Sequence, residues 1–166
     1  SLRPSQIGAH VKMGTTRDAL SAAQTPTANT TTGSEDISIS ALGQSFSIDV
    51  AANDSAKDVA TKINSLTSSH GVAAEAKTYA LLFSTNGSSE NYSVSINGSS
   101  TSSFSISNSN VSDAIAKINL ISSITGVTAI TNSNNKILLN DQDGDDITLE
   151  NASSVTTLDF QAVQFY

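Results

Sequence analysis

Hydrophobic and polar positions alternate along two short stretches near residue 40. Ile37, Ile39 and Ala41 are separated by serines, and Phe46, Ile48 and Val50 are separated by Ser47 and Asp49. Successive side chains of a strand point to opposite faces, so a period of two predicts two half-buried strands, 37–41 and 46–50. The connection "LGQS" between them favours a hairpin.

A helical period follows this hairpin. Residues 53–55 supply candidate helix caps, and Gly71 suits the left-handed position just beyond a helix end. Two more strands are predicted, over 72–78 and 80–84. The apolar residues that share one helix face are Ala56, Val59, Ala60, Ile63 and Leu66.

The same pattern recurs 55 positions later. Strands are predicted around Tyr92–Ile96 and Phe104–Ile106, followed by a helix that begins near Asn110 or Val111. Gly126 follows at the same displacement from Gly71. The second apolar stripe is Val111, Ala114, Ile115, Ile118 and Ile121.

Surface residues recur together with the stripe. Asp58 and Lys62 stand four apart on the first predicted helix, as do Asp113 and Lys117 on the second. Such an exposed pair contributes only about 0.2 to 0.5 kcal/mol, so its recurrence indicates duplication rather than a need for stability. The alternative is that any two units of this kind match through their amphipathic period alone.

An asparagine ends the triplet Lys-Ile-Asn in both copies. Asn64 and Asn119 lie off the apolar stripe. We expect each side chain to hydrogen-bond neighbouring backbone rather than to bind a ligand, because short polar side chains readily do so.

These motifs carry a resemblance to a known family. "VATKINSLTSSHGVAAEA" and "AIAKINLISSITGVTAIT" both resemble the flagellin hook IN repeat of bacterial flagellins and hook-associated proteins. Two such repeats imply an α+β fold of two tandem ββαββ units, each with one helix packed on a small, mainly antiparallel sheet. A unit of about 55 residues is marginal alone, so intimate contact between the two is expected.

The resemblance also implies a division of the chain. Residues 1–34 form a lead-in and linker from a filament-core region that is missing here, and 151–166 form a segment returning toward it. Between them lie the first unit, residues 35–90, and the second unit, residues 91–150. The lead-in "SQIGAHVKMGTTRDA" is similar to the segment by which some flagellins leave their core helices.

The function implied is structural. The chain looks like the surface-exposed outer domain of flagellin in the extracellular bacterial flagellum, with other flagellin subunits as partners through the missing regions. Such a fragment is expected to be monomeric, and sugars on Ser or Thr are a possible modification in this family. The alternative is a hook-associated or cap protein module that binds a surface glycan or host receptor.

Composition removes several other functions. The net charge is −7 and the eight basic residues form no cluster, which argues against nucleic-acid binding. No apolar run approaches the roughly 20 residues of a membrane span. There is no cysteine, which excludes disulfides and thiolate chemistry. No cofactor is expected.

Catalysis has little support. His10 and His70 are the only histidines, and no serine lies in a Gly-x-Ser-x-Gly elbow. His70 precedes Gly71, where a positively charged ring would favour the end of a helix. We therefore predict a structural role for His70 and no enzymatic activity.

The sharpest polar cluster is "NDQDGDDITLE". Asp141, Asp143 and Asp145, with Asp146, could offer oxygens to Ca²⁺ around Gly144. An EF-hand places Gly sixth and Glu twelfth, whereas here Gly is fourth and Glu150 tenth. The competing interpretation is a solvated turn joining two strands of a hairpin, 137–140 and 147–150.

Overall fold

The computed structural model describes residues 17–20, 26, 28–154 and 158–163. Within them short helices accompany small antiparallel sheets, so the predicted α+β class is confirmed. The helices are α1 (Ala56–Ser65), α2 (Thr67–His70), α3 (Ser112–Asn119) and α4 (Ser122–Thr125). The strands are β1 (Arg17–Leu20), β2 (Ile37–Ala41), β3 (Gln44–Ile48), β4 (Thr78–Phe83), β5 (Glu90–Tyr92), β6 (Val94–Ile96), β7 (Ser99–Ser100), β8 (Phe104–Ile106), β9 (Val127–Thr131), β10 (Ile137–Asp141), β11 (Leu149–Asn151) and β12 (Leu158–Ala162).

The predicted hairpin forms, with β2 paired to β3, but its second strand is Gln44–Ile48 rather than 46–50, because the turn takes up only Leu42 and Gly43. The single helix expected after it is divided, because α1 ends at Ser65 and α2 begins at Thr67. The Ser65 hydroxyl donates to the Lys62 carbonyl at 2.7 Å, and the Leu66 N–H turns to the carbonyl of Ile63, three residues back. This tightens the last turn and ends the regular helix there.

The largest sheet has five strands in the order β1-β12-β4-β10-β9, all antiparallel. β4 of the first unit lies at its centre, between β12 and β10. A three-stranded sheet, β11-β6-β7, and the pair β5-β8 complete the second unit. The first unit is therefore joined to the rest of the fold through β4.

Two strand predictions after the first helix are wrong in their bounds. One strand, β4, crosses from the first predicted range into the second, and residues 71–77 form no strand. The reason is that β10 and β12 occupy both sides of β4. The segment that leads into β4 therefore has no place to fold back and pair with it.

The hairpin predicted between 137–140 and 147–150 is also wrong. β10 pairs with β4 on one side and β9 on the other, so both of its edges are occupied. β11 pairs instead with β6 in the three-stranded sheet.

One apolar cluster draws on both units and on β12. Tyr92 stacks against Phe104 with ring centroids 6.5 Å apart. α3 contributes Ala114 and Ile118, whereas no residue of α1 is buried, so the predicted buried stripe is correct only for the second unit. The members of the cluster are Ala80, Leu82, Tyr92, Val94, Ile96, Phe104, Ile106, Val111, Ala114, Ile118, Val127, Ala129, Ile137, Leu139, Leu149 and Leu158.

Candidate functional site

The repeated glycines of the two hairpins lie in matching turns. Leu42 and Gly43 join β2 to β3, with φ of 53° and 76°, and Asn97 and Gly98 join β6 to β7, with φ of 47° and 79°. Two consecutive residues at positive φ are typical of the type I′ turn, whose twist suits a hairpin. Displacement by 55 positions thus preserves backbone geometry as well as sequence.

The two asparagines of the Lys-Ile-Asn triplets form the same contact. Asn64 accepts from the N–H of Ala74 at 2.8 Å and donates to its carbonyl at 2.9 Å. Asn119 makes the same two bonds to Ala129, at 2.8 and 2.9 Å. The predicted backbone-bonding role is confirmed, although the partner lies ten residues along the chain rather than next to the asparagine. Each amide fixes the segment that follows its helix.

Gly71 and Gly126 both end helices in the left-handed conformation, with φ of 72° and 75°. The residue before each glycine accepts a backbone hydrogen bond through its side chain. His70 Nδ1 accepts from the Val72 N–H at 3.1 Å, and Thr125 Oγ1 accepts from the Val127 N–H at 3.2 Å. Imidazole and hydroxyl therefore perform the same task in the two units.

His70 is structural, but not through a positive charge at a helix end. Its Nδ1 acts as an acceptor, which requires that nitrogen to be unprotonated. The side chain is buried and its ring meets Phe46 edge to face, with centroids 5.4 Å apart. Its Nε2 has no hydrogen-bond partner among the described residues. His10 lies outside the part of the chain that the structure describes.

The predicted pair of Asp58 with Lys62 is wrong in its partner. Asp58 instead accepts from the backbone N–H of Ser55 at 2.9 Å, while Ser55 caps α1, forming a capping box. Lys62 forms its ion pair with Asp54. In the second unit Asp113 accepts from the N–H of Ser105 at 2.8 Å. Spacing alone missed the capping box, although Ser followed three residues later by an acid is its signal.

These contacts shift the ionisation of the first helix's charged residues. The hydrogen bond from Lys62 lowers the pKa of Asp54, and the same contact raises the pKa of Lys62. The backbone N–H of Ser55, helped by its hydroxyl, lowers the pKa of Asp58. All three groups are thereby held in their charged forms.

The acidic turn is organised by one carboxylate. Asp141 is buried, and its Oδ1 accepts from the N–H groups of Asp143, Gly144 and Asp145, at 2.9, 3.0 and 3.2 Å. Within the described ranges, no three Asp, Glu, His or Cys side chains are grouped so that they could hold a metal ion. The three calcium candidates therefore act within a turn, and Asp141 directs one of its oxygens to backbone.

This turn is also where the first unit meets the second. The Lys57 N–H donates to the Gly144 carbonyl at 3.0 Å, and its ammonium pairs with Asp145 at 2.6 Å. The side-chain hydrogen bond with Asp145 raises the pKa of Lys57. Asn29 donates to Asp146 at 2.6 Å. The sequence did not predict this contact, because Lys57 and Asn29 are far in the chain from the turn they bond and share no motif with it.

Open grooves lie on the surface of the described part of the chain, among them one beside α1 and one over β9 and β10. A polar groove of about 440 Å³ lies between α1 and the segment before β4, and its lining includes Thr61, Asn64, Glu75, Lys77 and Gln142. A more apolar groove of about 450 Å³ lies over β9 and β10. None of the helices in the described part of the chain combines the length and hydrophobicity that a bilayer crossing requires.

A comparison of the sequence with known protein families gives one match. The family model described as the flagellin hook IN motif matches residues 36–87, which include Asn64 and Gly71. The second unit lies outside that range. No curated protein sequence matches the chain. The match supports a flagellin-related structural chain.

Proposed function

We propose that this chain is the surface-exposed outer domain of a flagellin, and so a structural component of an extracellular bacterial flagellar filament. The observation that carries the proposal is the flagellin hook IN match over 36–87. The matched segment holds the β2–β3 hairpin, α1 with Asn64, and the helix-ending Gly71.

The second unit supports a second IN repeat. Asn119 bonds Ala129 as Asn64 bonds Ala74, and Gly126 ends its helix as Gly71 does. An amphipathic period alone would place a helix but would not reproduce a two-bond contact at the same displacement. We therefore infer tandem repeats.

The pairing of β1 with β12 supports an inserted outer domain. Arg17 lies opposite Gln161 and Leu20 opposite Leu158, in antiparallel register. The chain thus enters and leaves the described fold along neighbouring strands, an arrangement that suits insertion into a longer protein. Filament assembly through other flagellin subunits would then fall to regions outside this chain.

In this role the domain acts through its surface. It carries a net charge of −7 and is rich in Ser, Thr and Asn. An acidic, polar exterior keeps crowded copies soluble and apart. Exposed Ser and Thr side chains are also where O-linked sugars would be attached.

Two measurements test the proposal. Sedimentation of the purified chain should show a folded monomer that does not polymerise. Filaments formed by the chain alone would contradict the proposal that assembly depends on regions outside it. Gold-labelled antibodies raised against the chain should decorate flagella of the source bacterium along their whole length. An absence of label on flagella would overturn the flagellar assignment.

The alternative is a hook-associated or cap protein module that binds a surface glycan or host receptor. The polar groove beside α1 favours it, because Thr61, Glu75 and Gln142 offer hydrogen bonds to sugar hydroxyls. Gold label confined to the hook junction or the filament tip would select this alternative. A glycan array would then test the groove, with Gln142→Ala as the variant expected to lose binding.

A further inference from the structure

The four residues Asn-Gly-Ser-Ser occur twice in the chain, at 86–89 and at 97–100. The first copy lies in the connection between β4 and β5, and the second forms the turn between β6 and β7 together with β7 itself. Asparagine followed by glycine is especially open to loss of the side-chain amide, because glycine has no Cβ to shield its backbone nitrogen. The chain therefore places one reactive sequence in two different structural environments.

The first copy leaves its reacting groups accessible. Asn86 is exposed, and its side-chain amide donates to Glu90 Oε2 at 2.8 Å. Its Oδ1 and the Gly87 N–H form no hydrogen bond within the described residues. A Cβ built on Gly87 would meet no atom within 4 Å, so the space beside the glycine is open. The Asn86 backbone is held, since its N–H donates to Ser84 Oγ at 3.1 Å and its carbonyl accepts from the Asn108 N–H at 2.8 Å. The side chain is thus freer than the loop that carries it.

The second copy holds the same side chain in place. Asn97 donates to the Thr125 carbonyl at 3.0 Å, and its Oδ1 accepts from the N–H and the hydroxyl of Thr148 at 2.8 and 3.1 Å. Its backbone N–H also donates to the Thr148 carbonyl at 3.1 Å. Turning the Asn97 side chain towards the Gly98 nitrogen therefore requires these side-chain bonds to α4 and to the segment before β11 to break.

We propose that Asn86 is a site of spontaneous deamidation, a reaction of the folded chain with water that needs no enzyme. The Gly87 nitrogen loses its proton to solvent base and forms a bond to Asn86 Cγ. The bond from Cγ to the side-chain nitrogen breaks, and that nitrogen takes up a proton and leaves as ammonia. A five-membered succinimide remains, and water opens it at either ring carbonyl to give aspartate or isoaspartate. The net change consumes a water molecule and releases ammonia, with no oxidation or reduction.

The product places a new charge beside an existing one. Glu90 Oε2 accepts from both the Asn86 amide and the Tyr92 hydroxyl, each at 2.8 Å. Deamidation replaces the amide donor with a carboxylate, so two like charges face each other at the start of β5. The net charge of −7 becomes one unit more negative. Isoaspartate also lengthens the main chain at this point, which displaces the carbonyl that Asn108 bonds. The modification therefore loosens the connection between β4 and β5, and this consequence does not depend on the flagellar assignment.

The first test compares the two asparagines within the same molecule. The whole chain is incubated in mildly alkaline buffer and digested, and peptide fragmentation by mass spectrometry locates the added mass of about 1 Da. In the folded protein Asn86 should react at least about tenfold faster than Asn97, which corresponds to a barrier lower by about 1.4 kcal/mol. In about 6 M guanidinium chloride the two rates should agree within about twofold, because the unfolded copies share their sequence.

The second test changes the glycine that supplies the nitrogen. Gly87→Ala adds a methyl group in space that the fold leaves open, and it should slow the reaction at Asn86 at least about tenfold. The matched control is Ser89→Ala, which alters the same exposed loop without touching either reacting residue and should leave the rate within about twofold of wild type. If Gly87→Ala does not fold, the comparison of Asn86 with Asn97 in the wild-type chain decides.

The third test examines the product. Anion exchange should separate the modified chain by its extra negative charge, and hydrogen exchange should be faster at the Asn108 N–H than in the unmodified chain. The proposal is overturned if Asn86 keeps its amide, if both asparagines react equally fast in the folded protein, or if Gly87→Ala reacts as fast as wild type. Unchanged exchange at Asn108 would overturn the loosening of the loop.

Discussion

Helix α3 buries Ala114 and Ile118 completely, whereas α1 buries none of its residues, although both helices carry the same apolar stripe. The difference begins after the helix-ending glycine. In the second unit β9 pairs with β10 and covers α3, while residues 71–77 of the first unit belong to no sheet. The two units therefore share their local geometry but differ in how much apolar surface they cover.

This comparison separates two kinds of information in one motif. The turn, the asparagine bonds and the left-handed glycine depend on residues close in sequence, and they recur in both units. How deeply each helix is buried depends instead on which strand, from a distant part of the chain, packs against it. The same local structure therefore forms in both units, but the second unit contributes most of the buried apolar residues.

The largest expected effect sharpens the contrast between the helices. Ile118→Ala should lower the free energy of unfolding by about 2 to 5 kcal/mol, because it leaves a cavity in the core. The matched change Ile63→Ala should cost clearly less, since Ile63 is only half-buried. Urea unfolding followed by circular dichroism measures both. Equal losses would show that α1 lies in a core as complete as that of α3.

The next effect concerns the two asparagines. Asn119→Ala removes two bonds to Ala129, which is 2 % exposed, and should cost about 1 to 3 kcal/mol because buried backbone groups lose their partner. Asn64→Ala should cost less, since solvent can replace its bonds to the half-buried Ala74.

Asn91→Ala, on an exposed strand position, is the control for loss of an asparagine as such and should change stability by less than about 0.5 kcal/mol. If Asn64→Ala proves as costly as Asn119→Ala, solvent does not reach the first unit's contact.

The smallest effect is the pH response of the first helix. The pKa values of Asp54 and Asp58 are lowered from 3.8 in the fold, so their contribution is present above pH 3.8 and is lost as pH falls through the folded values. Asp58→Asn should flatten the acid limb of a stability profile and loosen the α1 amides in hydrogen exchange. Glu35→Gln, at an exposed position, should keep the wild-type limb. An unchanged limb in Asp58→Asn would remove the capping box as its source.

Sequence predicted the parts of this fold that short-range chemistry decides. The first hairpin, the helix positions, the glycine stops and the bonding role of Asn64 and Asn119 follow from periodicity and side-chain type. The strand pairings could not be predicted in the same way. β4 and β10 are separated by some 50 residues, and several strands could pair with the same edge of a sheet. The Asp58–Lys62 prediction failed for a related reason. The four-residue spacing is compatible with that ion pair, but it does not show that Asp58 bonds Ser55 at the start of the helix instead.

Gly144 marks a place where the two units differ in what their backbone can accommodate. It has φ of 82°, and a Cβ there would lie 2.3 Å from that of Ala76 in the first unit. The residue 55 positions earlier is Ser89, which has a side chain and is exposed. Reversing the order of the copies would put a side chain where only hydrogen fits. The close approach of Ala76 to Gly144 therefore makes the contact between the two units depend on their order along the chain.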